Sequence, residues 1–126
     1  MNLNAFINEY RKHVNNPMPK SEQTDILKKS IEYNGAETEL VIIMEELSEL
    51  IQQVSKRYRG ENYTMHLLEE MADVYICLDE LKLMIDITDD DIEAAMSVKF
   101  ERIKDSIQKG ALLNDDLHEH SGLLED

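Results

Sequence analysis

Apolar residues recur along most of this chain in steps of three and four, the mark of helices that bury one face. The first stretch places Leu3, Phe6, Ile7, Tyr10 and Val14 on one side. Pro17 and Pro19 break it, since proline lacks the N–H that a helix interior needs. Ser21 offers a side-chain oxygen to free amides and is read as the N-cap of a second helix, running to about Tyr33. Asn34-Gly35 closes that helix, glycine being suited to the residue just past a helix end. A third pattern spans about Ala36 to Arg59, with the stripe Leu40, Ile43, Met44, Leu47, Leu50, Ile51 and Val54, and stops at Gly60. A fourth spans about Tyr63 to Asp86, with Leu67, Leu68, Met71, Val74, Tyr75, Leu78, Leu81 and Ile85. Thr88 caps a fifth, whose acidic first turn suits the helix dipole and which ends near Lys109-Gly110. No stretch alternates with the strand period of two. The pattern predicts an all-α fold, a bundle of four or five helices with two long antiparallel acidic ones. Residues 1–110 are read as one domain. The acidic tail, residues 111–126, is expected to fray or dock loosely, and its His118-Glu119-His120 run reads as a solvated end.

Composition narrows the function classes. A chain of 126 residues suits one domain. Hydrophobic residues make up 42 % and aromatic ones only 6 %, so the chain is not disordered by composition and its apolar mass suits packed helices. The net charge of -14, from 27 acidic and 13 basic residues, argues against direct nucleic-acid binding. A phosphate-bearing ligand would need a cation between itself and the protein. Cys77 is the one cysteine, so no intrachain disulfide can form. The N-terminal residues lack a leader pattern and the longest apolar run, Leu40 to Met44, is too short to span a bilayer. A cytoplasmic protein with no membrane partner is expected.

Candidate chemistry lies in a repeated device. Residues 44–50 read MEELSEL and residues 68–74 read LEEMADV. With 100° per residue, Glu46 lies about 90° and Glu49 about 150° from the centre of the third helix's apolar stripe. Glu70 and Asp73 lie about 80° and 140° from that of the fourth, on the same side. A short turn makes the helices antiparallel neighbours, so packing of their stripes would bring the two pairs together at one edge of the seam. Four close carboxylates repel and would have to take up protons unless a cation joined them. Mg²⁺, or Mn²⁺ in its place, accepts oxygen ligands and keeps positions for water or phosphate. Acids three apart on a helix are common and mostly solvated; the doubled occurrence beside one seam sets this pair apart. Glu45 and Glu69 point further from the stripe and are read as solvent-facing or supporting. A di-iron bundle would need Glu-x-x-His, which neither acidic helix contains.

These residues resemble a known family. EELSEL at 45–50 with EEMADV at 69–74 is similar to the E-x-x-E … E-x-x-D signature of MazG-like nucleoside triphosphate pyrophosphohydrolases, of the all-α NTP pyrophosphatase superfamily. Asn34-Gly35 looks like the family's turn into its first acidic helix, and Lys99-Phe100-Glu101-Arg102 resembles its later basic segment. The likeness covers roughly residues 22 to 104. It departs where the family often has a further basic residue and this chain has Ile103. The resemblance implies Mg²⁺-dependent cleavage of a nucleoside or deoxynucleoside triphosphate into monophosphate and pyrophosphate. It implies Glu46, Glu49, Glu70 and Asp73 as metal ligands, and a homodimer or dimer of dimers. Lys99 and Arg102 would contact phosphate, with Lys56, and also Arg57 and Arg59, as further candidates. Basic residues at a helix C-terminus also occur for the dipole alone.

His66, one turn before Glu70, could contact substrate but is read first as packing at a helix edge. Cys77 is read as a small buried residue, and Tyr33 and Tyr63 as core packing that could stack on a base. No G-x-x-x-x-G-K-[ST] loop is present. Two other readings compete with the hydrolase: a silent helical interaction module whose acids only solubilise it, and a nucleotide- or ion-binding regulator.

Overall fold

The computed structural model describes residues 2–110; the tail with His118 and His120 lies outside the described residues. Five helices and no strand occur among them: α1 Leu3–His13, α2 Lys20–Asn34, α3 Ala36–Tyr58, α4 Thr64–Met84 and α5 Asp89–Gly110. None of these helices is long and apolar enough to cross a membrane. They divide into two compact units, the first ending at Asp86 and the second beginning at Ile87.

Local chemistry explains most helix ends. Asn2 caps α1 by accepting from the Ala5 N–H at 2.8 Å. The second helix starts one residue before the expected cap. Pro19, with φ near -59°, presets the entry, its carbonyl accepts from the Gln23 N–H, and Ser21 sits inside the first turn. Gly35 ends α2 and opens α3 at once. Its N–H donates to the Ile31 carbonyl and its own carbonyl accepts from Glu39, at φ 83° and ψ 155°, a region essentially confined to glycine. Beyond α3, the Gly60 N–H reaches the Arg57 carbonyl and the Glu61 N–H reaches Lys56, the paired bonds of a Schellman turn, with Gly60 at φ 88°. In the second unit Thr88 and Asp91 cap α5 reciprocally: Thr88 Oγ1 accepts from the Asp91 N–H at 3.1 Å, and the Asp91 carboxylate accepts from the Thr88 N–H at 2.9 Å.

Within the first unit α3 and α4 form the principal pair. Helix α2 packs on both and α1 packs on α4. Interacting side chains run in opposite order along the pair: Glu39 with Glu80, Glu46 with Asp73, Glu49 with Glu70. The two helices are therefore antiparallel, as their short connection requires.

The face that packs is not the expected one. The sequence pattern predicts that the wide apolar stripes meet and leave the acids at the seam's edge. Instead, Leu40, Met44, Leu47, Ile51 and Val54 of α3 are exposed, Ile51 at 69 %, as are Met71, Tyr75, Leu78 and Ile85 of α4. Of the α3 stripe only Ile43 is buried, with Leu50 half-buried. The seam is built from a second stripe with the same steps of four and three: Glu39, Ile43, Glu46, Leu50 and Gln53 on α3, and Glu70, Asp73, Cys77 and Glu80 on α4. Both stripes satisfy helical periodicity, so the spacing alone does not choose between them. Among the described residues Ile43 and Cys77 are the only fully buried apolar side chains.

Candidate metal centre

The rotation of α3 and α4 that exposes the apolar stripes aims both acidic pairs inward. Glu46 and Glu49 lie one turn apart on α3, Glu70 and Asp73 one turn apart on α4. One carboxylate oxygen from each lies within 4.8 Å of the other three. Glu46, Glu70 and Asp73 are half-buried and Glu49 is exposed, so the cluster opens to solvent on the Glu49 side.

The electrostatics follow from that crowding. Burial pushes the Glu46 carboxyl up to about 7, reinforced by the charge and hydrogen bond of Asp73 and by Glu49 and Glu70. Glu70 is likewise pushed up to about 7, by burial first and then by the charge and hydrogen bond of Glu49. Asp73 is raised by burial, while its hydrogen bond to Glu46 pulls the other way and the charge of Glu49 adds to the rise. Glu46 Oε2 and Glu70 Oε2 are buried without a hydrogen-bond partner. Unsatisfied buried carboxylate oxygens are costly. Oxygen-only donors with two unpartnered atoms turned inward match a hard divalent cation, which would supply those contacts and cancel the repulsion.

The supporting residues fall as follows. Glu45 is exposed, and Glu69 is half-buried and adds its charge to the shift of Glu70. His66 packs edge-on against Tyr63, ring centroids 5.9 Å apart, at the helix edge. Cys77 is buried, its thiol pushed up to about 11 by burial and then by the surrounding carboxylates. Tyr33 is 90 % exposed and is not a core residue. One turn beyond the acids, Gln53, Lys56, Arg57, Glu61, Tyr63 and Leu67 line a shallow recess. There Arg57 donates to Asn62 Oδ1 at 2.6 Å, while Arg59 bonds Ser55 Oγ at 2.8 Å. The structure thus gathers Glu46, Glu49, Glu70 and Asp73, with Lys56 in an adjoining recess. Lys99 and Arg102 are exposed on α5, in the second unit.

Sequence reasoning overlooked one feature of the seam. Glu39 and Glu80 are buried at 1 % and 8 % exposure, one heptad outside Glu46 and Asp73. That shared heptad register was the available signal.

No protein-family model, curated protein or solved structure shows a significant match to the chain.

Proposed function

We propose that the protein is a divalent-metal-dependent nucleoside triphosphate pyrophosphohydrolase, of the MazG-like kind that its paired acidic motifs resemble. The observation that carries this reading is the convergence of Glu46, Glu49, Glu70 and Asp73 within 4.8 Å, with two buried oxygens lacking partners. Glu46, Glu49, Glu70 and Asp73 would hold Mg²⁺, with Mn²⁺ as the alternative ion. When bound, the ion offsets charge on the triphosphate and lowers the cost of the departing pyrophosphate.

The chain's own groups account for the rest. Carboxylates of the cluster orient a water in line with the α-phosphorus and accept its proton. The bond from the α-phosphorus to the α–β bridging oxygen breaks as the new P–O bond forms. The products are a nucleoside monophosphate and pyrophosphate, and no covalent nucleophile is needed. Lys56, on the same helix as Glu46 and Glu49, is a candidate cation for the β- and γ-phosphates; Lys99 and Arg102 on α5 are the further candidates that the resemblance implies.

A homodimer or dimer of dimers completes this reading. Its support is the exposed stripe of α3, from Leu40 to Val54, against a described core of Ile43 and Cys77. Burying a Leu, Ile or Met side chain is worth roughly 1.5–3 kcal/mol, so a second copy on that face supplies the apolar burial the seam lacks.

The deciding experiment is pyrophosphate release from a panel of ribo- and deoxyribonucleoside triphosphates, with Mg²⁺ and with EDTA. The expected result is Mg²⁺-dependent monophosphate plus pyrophosphate from at least one of them, abolished in folded Glu49→Ala and Asp73→Ala. Mg²⁺ binding without turnover of any nucleotide would favour the regulator. Variants as folded as the parent, with neither binding nor turnover in the parent itself, would favour the interaction module.

A further inference from the structure

The seam contains a second carboxyl pair that the proposed chemistry does not use. Glu39 is 1 % exposed and Glu80 is 8 % exposed, and their carboxyls face each other across α3 and α4 within hydrogen-bonding reach. From α2, Ser30 Oγ and Asn34 Nδ2 both donate to Glu39 Oε1, at 2.9 Å and 2.8 Å. Glu80 Oε2 is buried and has no donor. Two ionised carboxylates cannot hydrogen-bond each other, whereas a protonated one can donate to its partner. Helix α2 itself contributes no buried residue, and Leu27 and Ile31 are only half-buried.

We propose that Glu39 and Glu80 hold one proton between them, and that this proton clasps α2 to the α3–α4 pair. The clasp loosens as the pH rises through neutrality. While the proton is held, three donors, from Ser30, Asn34 and the Glu80 carboxyl, converge on one ionised Glu39. When Glu80 loses its proton, one donor becomes a second negative charge in the same buried place, and α2 is left on apolar contacts that are at best half-buried.

The surrounding groups support this assignment. Glu39 is held below the usual carboxylate range, first by its bond to Glu80 and then by Asn34. Glu80 is pushed up to about 7 by burial first and then by its hydrogen bond to Glu39 and the charge of Glu39. Facing groups on α2 are Ser30 and Asn34, neither of which titrates in this range. On α4, Cys77 stays a neutral thiol there, being pushed up to about 11. This pair also differs from the four-acid cluster in its ligands: amide and hydroxyl donors relieve it, so a single proton suffices without a cation.

Amide exchange of residues 20–34, read by mass spectrometry between pH 6 and 8.5 and corrected for intrinsic rates, tests the clasp. Recording it at saturating Mg²⁺ and without metal separates it from the acidic cluster. In the wild type, α2 protection should fall about tenfold in all between pH 6 and 8.5, most steeply at the acid end and levelling off above neutrality, for one linked proton. Glu80→Gln keeps a permanent donor toward Glu39, so its α2 protection should be flat with pH and exceed that of the wild type at pH 8.5. Parallel profiles for the two proteins would overturn the proposal, as would loss of protection in Glu80→Gln at every pH. Should that variant fail to fold, the ¹³C shift of the wild-type Glu80 carboxyl decides. A midpoint near the ordinary glutamate value of about 4.3 excludes a held proton, and one near neutrality supports it.

Discussion

Metal binding at the four-carboxylate cluster should be strongly proton-linked. The perturbation is a change of pH from 6 to 8 during a Mg²⁺ titration. Glu46 and Glu70 are both raised to about 7, so protons and the cation compete for the same oxygens. Across those two pH units each carboxyl passes from about one-tenth to about nine-tenths ionised. If both must ionise, the apparent affinity rises by up to about 100-fold, or ~2.7 kcal/mol. The cluster titrates as a unit, so the steps belong to the group of four rather than to single residues. At pH 7 about half a proton leaves each of the two, giving about one proton released per ion bound. Calorimetry in two buffers of different ionisation enthalpy measures that number directly. An affinity that changes less than about threefold over this range, with almost no proton release, would refute the reasoning. It would mean that the four acids are ionised and solvated without the ion, and that their crowding carries no penalty.

Other outcomes follow from the same geometry. In metal-free protein Glu70 has a folded value near 7 against 4.5 otherwise, so its contribution to stability is full below about 4.5 and lost as the pH rises through 7. Glu70→Gln should therefore stabilise the apo protein at pH 8, by about 1–2 kcal/mol after allowing for solvent screening, seen as a rise in Tm of several degrees; an unchanged or lower Tm contradicts this. Ile51→Asp, at a position 69 % exposed on α3, should shift the sedimentation profile toward monomer without touching the acids. A wild type that sediments as monomer at micromolar concentration would remove the second copy from the reading. Gly35→Ala meets no atom within 4 Å, yet φ 83° should still make it destabilising by about 1–2 kcal/mol in thermal or urea unfolding; a neutral result would mean the α2–α3 turn relaxes freely.

The two carboxyl groupings in the seam answer the same electrostatic problem differently. Around Glu39 the fold supplies Ser30 and Asn34 as donors, and burial is nearly complete. Around Glu46 and Glu70 two oxygens lack partners and the cluster is open on the side of exposed Glu49. A closed pair with neutral donors on Glu39 suits a structural tie; an open cluster without such donors suits an exchangeable ion.

The sequence by itself determined the five helices and most of their ends. Gly35, Gly60 and the Thr88–Asp91 cap act within a few residues of themselves, so their chemistry is complete in the local chain. The Pro19 cap of α2 lies two residues before the expected one because a fixed φ displaced the better side-chain cap, Ser21. The paired acids were equally legible, since three-residue spacing on adjacent helices fixes their common face. Only the tertiary structure decided which face meets its neighbour. On α3 the stripe through Leu40, Met44, Leu47 and Ile51 and the stripe through Glu39, Ile43, Glu46 and Leu50 have one and the same period. Periodicity gives each stripe's direction about its own axis. Which of the two turns inward depends on what the opposite helix presents, and there Asp73, Cys77 and Glu80 supply polar and small partners. The same dependence hid Glu39 and Glu80: each is an ordinary helix glutamate until α2, α3 and α4 close around it.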